Sequence, residues 1–171
     1  MRAVPRSFVL SAESPCTVDR IHSTFGNENY WRARLAAFDA GSPTLDSLTI
    51  DADGTTTVAM TLSFGGDQLP GPLNRIHAGV LHVLHRERWS GLDDGRVRGE
   101  IIVDARGMPL SGHGTLSLTP APNGSRLVGT ATVTVNVPFI GGTIAKLIAD
   151  PLADGILEIH AFTNAWMAEN G

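Results

Sequence analysis

His85 and Glu87 stand two residues apart in the stretch "LHVLHRERW", Leu81 to Trp89. On a β-strand that spacing puts both side chains on one face, so an imidazole and a carboxylate converge on the same space. Burial raises the pKa of a carboxyl group, and a neighbouring imidazole can share its proton. The pair therefore suits acid–base chemistry, or the anchoring of a polar group on a bound molecule. The plainer alternative is that the two groups satisfy each other, or meet water at an open end of a sheet.

Other reactive residues point elsewhere. His82 and His85 are three apart, which on a strand means opposite faces and no shared zinc ion. Cys16 lies near a predicted helix N-terminus, where the dipole favours a thiolate. It has no partner cysteine and reads as a small, partly buried residue. "DADG" at 51 to 54 opens like a calcium loop, but its twelfth position is Leu62, where a bidentate glutamate is required. There is no phosphate loop, zinc-protease helix, nucleophile elbow or dinucleotide glycine fingerprint. No metal and no cofactor are expected.

The elements that must position the pair follow from apolar spacing. "RSFVLSAE" alternates Phe8, Leu10 and Ala12 against Ser7, Val9 and Ser11, a first strand. "SPCTVDRIHSTFG" has helix-start grammar, with Ser14 as cap, Pro15 at the first helical position, and Val18, Ile21 and Phe25 on one face. "NENYWRARLAAF" repeats the signal, with Asn27 as cap and Trp31, Leu35 and Phe38 as its stripe. Three hairpins follow, turning at Asp53-Gly54, Asp94-Gly95 and Asn123-Gly124. Between the third and fourth strands a loop from Gly65 to Gly79 is expected to hold a short helix near Leu73 to His77 and to serve either as a lid or as a passive cover. "TATVTVNVPFIGGTIAKLIAD" switches from period two to period three or four at Pro138 and Gly141-Gly142. The long helix beyond is expected over Thr143 to Glu169. Lys146, Asp150, Asp154 and Glu158 form its solvated stripe, and Ile144, Leu147, Ile148, Leu152, Ile156 and Ile159 lie on its broad apolar face. Pro151 and Gly155 loosen its middle.

Register in the middle hairpin can be argued from chemistry. A three-residue Asp93-Asp94-Gly95 loop pairs Trp89 with Gly99 and Arg88 with Glu100. It joins apolar to apolar and links opposite charges, so it is preferred over the two-residue loop. Leu81, Val83, His85, Glu87 and Trp89 then point inward, and Arg86 and Arg88 point out.

The totals set the class. The chain has 171 residues, 42% hydrophobic and 18% charged, enough for one domain, 1–171, with a substantial core. A formal charge of −4 argues against nucleic acid or an anionic membrane as the main partner. No apolar run approaches the roughly 20 residues that span a bilayer, so no stable membrane insertion is expected. Pro5 and Ser7 interrupt any signal-like stretch, and the single cysteine fits a cytoplasmic, reducing location.

The order of elements and the "SPCTVDRIHSTFGNENYWRARL" region resemble the START-like superfamily, which has the helix-grip fold. That superfamily includes the birch-pollen allergen type, lipid-transfer domains and polyketide cyclases. "LDSLTIDADGTTTV", "DDGRVRGE", "NGSRL" and "VPFIGGTIAKLI" are similar to an actinobacterial family of unknown function within it. The resemblance implies an α+β chain in which a seven-stranded curved antiparallel sheet, in strand order 1-7-6-5-4-3-2, grips the last helix around an internal cavity. The expected cavity residues are Tyr30 on the second helix, Met60 and Leu62 on the third strand, and Val83, His85, Glu87 and Trp89 on the fourth. Ile101, Leu118, Gly129 and Ala131 extend the floor, and Ile148, Leu152, Ile156 and Ile159 form the roof. Binding of a hydrophobic small molecule, as carrier or sensor, is the first reading. A cyclase or dehydratase using His85 or Glu87 is the second, and a ligand-free protein-interaction module is the third. The sequence names no protein partner.

Overall fold

The computed structural model describes residues 4–69 and 79–171. β1 (Val4–Ser14) leads into two short helices, α1 (Val18–Phe25) and α2 (Glu28–Ala37). Six strands follow: β2 (Thr44–Ile50), β3 (Thr56–Phe64), β4 (Leu81–Gly91), β5 (Val97–Ala105), β6 (Leu110–Ala121) and β7 (Gly124–Val135). The chain closes with α3 (Gly141–Asn170), two residues longer at its start than its apolar spacing predicts. The strands form one curved antiparallel sheet in the order β1-β7-β6-β5-β4-β3-β2, the expected helix-grip arrangement. The helix expected near Leu73 to His77 lies outside the described residues.

Local chemistry accounts for most of the boundaries. Asn27 caps α2 by accepting from the Asn29 N–H at 2.9 Å. The cap of α1 is Thr17, whose Oγ1 accepts from the Arg20 N–H, and not the expected Ser14. Ser14 is drawn away because its hydroxyl donates to Asn164 Oδ1 at 2.6 Å, tying the end of β1 to α3. In the middle hairpin, Leu92 N–H donates to the Arg96 carbonyl around Asp93, Asp94 and Gly95. Trp89 pairs with Gly99 and Arg88 with Glu100, as the charge and size argument requires. Gly99 is needed there, since a Cβ would stand 2.4 Å from the Trp89 ring that lies over it. The last hairpin turns at Pro122-Asn123, one residue earlier than expected. Gly124 is the first residue of β7, at φ +144°, and a Cβ on it would meet the Ser14 carbonyl oxygen at 2.2 Å. The backbone of β1 presses on this corner, which shifts the turn and demands glycine.

The helix α3 is held at both ends. Near its start, Ile144, Ala145 and Ala149 pack on Val133 and Val135 of β7. Toward its end, Met167 joins the larger core of Ile21, Phe25, Tyr30, Trp31 and Trp89. The Arg20 guanidinium also donates to the Met167 carbonyl at 2.7 Å. Lys146, Asp150, Asp154 and Glu158 face solvent as expected, whereas Leu147 is 46% exposed and does not join the buried face. Among the described residues, no helix is long and apolar enough to cross a membrane.

Candidate functional site

Between its two anchored ends α3 roofs a cavity of about 500 Å³. Leu152, Gly155, Ile156 and Ile159 form the roof, and the inner faces of β3 to β7 form the floor and walls, largely apolar. Of the residues expected to line it, Tyr30, Leu62, Val83, His85, Glu87 and Trp89 do so, as do Ile101, Leu118 and Ala131 and all four roof positions. Met60 and Gly129 do not. Met60 is 5% exposed and belongs to the solid core with Leu45 and Leu48. Gly129 is covered, because Leu116 Cδ2 occupies the space 2.2 Å from where its Cβ would be. Gln68 and Leu69, from the loop expected to be a lid or a passive cover, stand at the wall, while residues 70–78 of that loop lie outside the described residues.

One end of the cavity is polar. Glu87 is 1% exposed, and its carboxylate is surrounded by donors. Oε1 accepts from Arg34 Nη2 at 2.6 Å and from His85 Nε2 at 3.0 Å. Oε2 accepts from Trp89 Nε1 at 3.0 Å, with Arg34 Nη1 at 3.4 Å. The raised pKa expected for Glu87 is overturned. Burial does push the carboxyl up, but the Arg34 guanidinium, followed by His85, outweighs it and holds the group well below the usual carboxylate range. Glu87 is therefore an ionised anchor and not a proton-accepting base. Arg34 is in turn held between Glu87 and the face of Trp31, 4.6 Å from the ring centroid.

The network runs on to α3. Thr163 Oγ1 donates to the Ile159 carbonyl at 2.9 Å, so its contact with Tyr30 at 2.6 Å has the phenol as donor. Burial raises the Tyr30 pKa, with Arg34 opposing it, and the hydroxyl keeps its proton. The acceptor-only carboxylate also sets the tautomer of His85. Nε2 carries the proton, and Nδ1 makes no hydrogen bond among the described residues. His82 points to the opposite face, with Nδ1 3.0 Å from Ser63 Oγ.

Two functional-site residues escape the sequence reading. Arg34 lies four residues after Tyr30 and three after Trp31, so a charged side chain falls within the buried stripe of α2. That misfit is the signal that a partner carboxylate waits inside. His160 lies on the buried face of α3, 8% exposed, at the cavity wall. Burial lowers its pKa, and the Glu13 backbone carbonyl only partly offsets that effect.

Residues 10–167 match the family described as "Protein of unknown function (DUF2505)". An uncharacterised protein of Mycobacterium tuberculosis is 34% identical over 176 residues, covering 98% of this chain and 99% of the relative. Among solved structures, the Mll3558 protein of Rhizobium loti superposes with a TM-score of 0.55 at 17% identity, over 95% of this chain and 99% of that one. A point mutant of norcoclaurine synthase from Thalictrum flavum, in complex with a transition state analogue, superposes at 0.53 and 15% identity over 99% and 98%. At these identities the likeness to the solved structures is one of fold.

Proposed function

We propose that this chain, which belongs to the family described as "Protein of unknown function (DUF2505)", binds a hydrophobic small molecule as a carrier or sensor. The observation that carries this reading is the unfilled, largely apolar space of about 500 Å³ beneath α3. That volume is within the roughly 300–1,000 Å³ typical of small-molecule sites, which combine apolar walls with a few placed polar groups. The single buried Cys16 fits work in a reducing compartment such as the cytoplasm, as one domain over residues 1–171. Native mass spectrometry of protein purified from its own cells tests the reading. A co-purifying apolar mass is expected, and protein that is ligand-free and refuses lipid-like compounds at saturating concentration contradicts it.

A second reading, acid–base catalysis, is favoured by one feature. His85 is oriented by an ionised carboxylate at 3.0 Å, leaving Nδ1 as the group able to take a proton from a bound substrate. Norcoclaurine synthase, with the same fold, is an enzyme by its name. In this reading His85 is the base and Glu87 its positioning partner. His85→Gln would then abolish turnover while leaving affinity within a few fold.

A further inference from the structure

The hydrogen bonds found at the polar end of the cavity are made within the protein itself. Arg34, Trp89 and His85 Nε2 donate to Glu87, and Tyr30 donates to Thr163, which donates to Ile159. Among the described residues, one buried side-chain polar atom has no hydrogen-bond partner. It is Nε2 of His160, on a side chain that is 8% exposed at the cavity wall. The Glu13 carbonyl beside the ring can only accept, so the imidazole proton sits on Nδ1 and Nε2 keeps its lone pair. His85 lines the same cavity, and its Nδ1 makes no hydrogen bond among the described residues. The charges of Arg34 and Glu87 cancel in their own ion pair, so among the described residues at this end no unpaired cation meets an anionic ligand.

We infer that the polar end of the cavity recognises a hydrogen-bond donor, and that the ligand is an uncharged hydrophobic molecule with a hydroxyl group, bound hydroxyl first. The hydroxyl donates to His160 Nε2, and the apolar remainder runs past Ile156 toward Leu152 and Leu69. This rests on the binding reading proposed above. His160 Nε2 is sealed in the ligand-free protein, so adjacent side chains shift as the hydroxyl docks. What drives the shift is relief of a buried acceptor left bare, an effect of about tenfold or more in affinity. A carboxylate offers only acceptors and would set lone pair against lone pair. A long-chain ammonium would bring a charge with no counter-ion, since Glu87 is already paired.

Competition at pH 8 between 1-dodecanol and dodecanoate for protein loaded with Nile red tests this directly. Dodecanol is expected to displace the dye at a concentration at least about tenfold lower. In His160→Leu the two competitors are expected to reach about parity, while Tm holds or rises because the bare acceptor is gone. Dodecanoate competing as well as dodecanol overturns the inference, and so does a preference that survives in His160→Leu. If that variant does not fold, the wild-type ratio decides alone. Equal binding of both competitors leaves the binding reading standing and removes this one. No uptake of dye or of either competitor removes both.

Discussion

The two ends of the space under α3 are built on opposite plans. At the α1–α2 end the molecule is solid. Phe25 and Trp89 lie 4.6 Å apart by ring centroid, Tyr30 meets Trp31 edge-on at 5.2 Å and Trp166 at 5.5 Å, and Trp31 Nε1 donates to the Phe25 carbonyl at 2.7 Å. Under the middle of the helix the facing side chains are aliphatic, and Gly155 and Ala131 leave room. A Cβ added to Gly155 would meet nothing within 4 Å, whereas one added to Gly99 would strike the Trp89 ring at 2.4 Å. The same residue type is thus forced by contact at one end and leaves open space at the other. Stability resides in the filled end and in the seal of Ile144 and Ala145 on β7, which together allow the stretch between them to stay hollow.

The largest expected effect comes from breaking the buried ion pair at the junction of the two regions. Glu87→Leu strands the Arg34 charge and is expected to lower unfolding free energy by about 3–5 kcal/mol. Arg34→Leu with Glu87→Leu is expected to recover most of that loss, because both charges then leave together. Urea unfolding of the two variants checks this, and a double variant as weak as the single one would show that the network matters beyond its charge balance.

Truncations come next and separate the two regions. Ile21→Ala, at a side chain 0% exposed in the solid core, is expected to lose about 2–5 kcal/mol. Leu152→Ala, at a roof position 38% exposed, is expected to lose less than about 1 kcal/mol. Equal losses would mean that the roof is as tightly packed as the core.

Acid titration gives a graded effect with a defined sign. His160 and Glu87 both have folded-state pKa values below their ordinary 6.5 and 4.5. In each window the unfolded chain binds more protons, so stability is full above the ordinary value and falls as pH drops below it. Urea midpoints are expected to decline first below about pH 6.5, through His160, and again below about pH 4.5, through Glu87. His160→Leu is expected to remove the upper decline only; a midpoint flat between pH 7 and 5 in the wild type would contradict the burial of a neutral imidazole.

How much of this could be read in the sequence depends on whether the deciding contact is local. The pairing of Trp89 with Gly99 was legible because a loop of three residues ties both strands and a large ring needs a bare floor. The inward face of β4, with His85 and Glu87, followed from period two together with that register. The strand order came from the resemblance to the helix-grip fold and not from the residues. What stayed hidden depends on distant partners. The pKa of Glu87 is decided by Arg34, 53 positions earlier on a helix whose docking no spacing rule supplies. Ser14 reads as a cap until Asn164, 150 residues away, takes its hydroxyl. Met60 and Gly129 share the period of the cavity floor, but Met60 is taken into the solid core and Gly129 is covered by Leu116, choices made by side-chain packing across strands.

The smallest stability change leads to the sharpest test. Gly155→Ala meets no neighbour and removes a flexible residue from the helix, so a gain of about 0.5–1 kcal/mol in urea unfolding is expected. Gly155→Phe sends a ring into the same free space. Titration of Nile red into the wild type and Gly155→Phe measures whether that space is where a hydrophobic molecule goes. Saturable binding to the wild type, reduced at least about tenfold in a Gly155→Phe variant that remains folded, is the expected result. Equal binding to both proteins would place the dye elsewhere and contradict a binding cavity beneath α3.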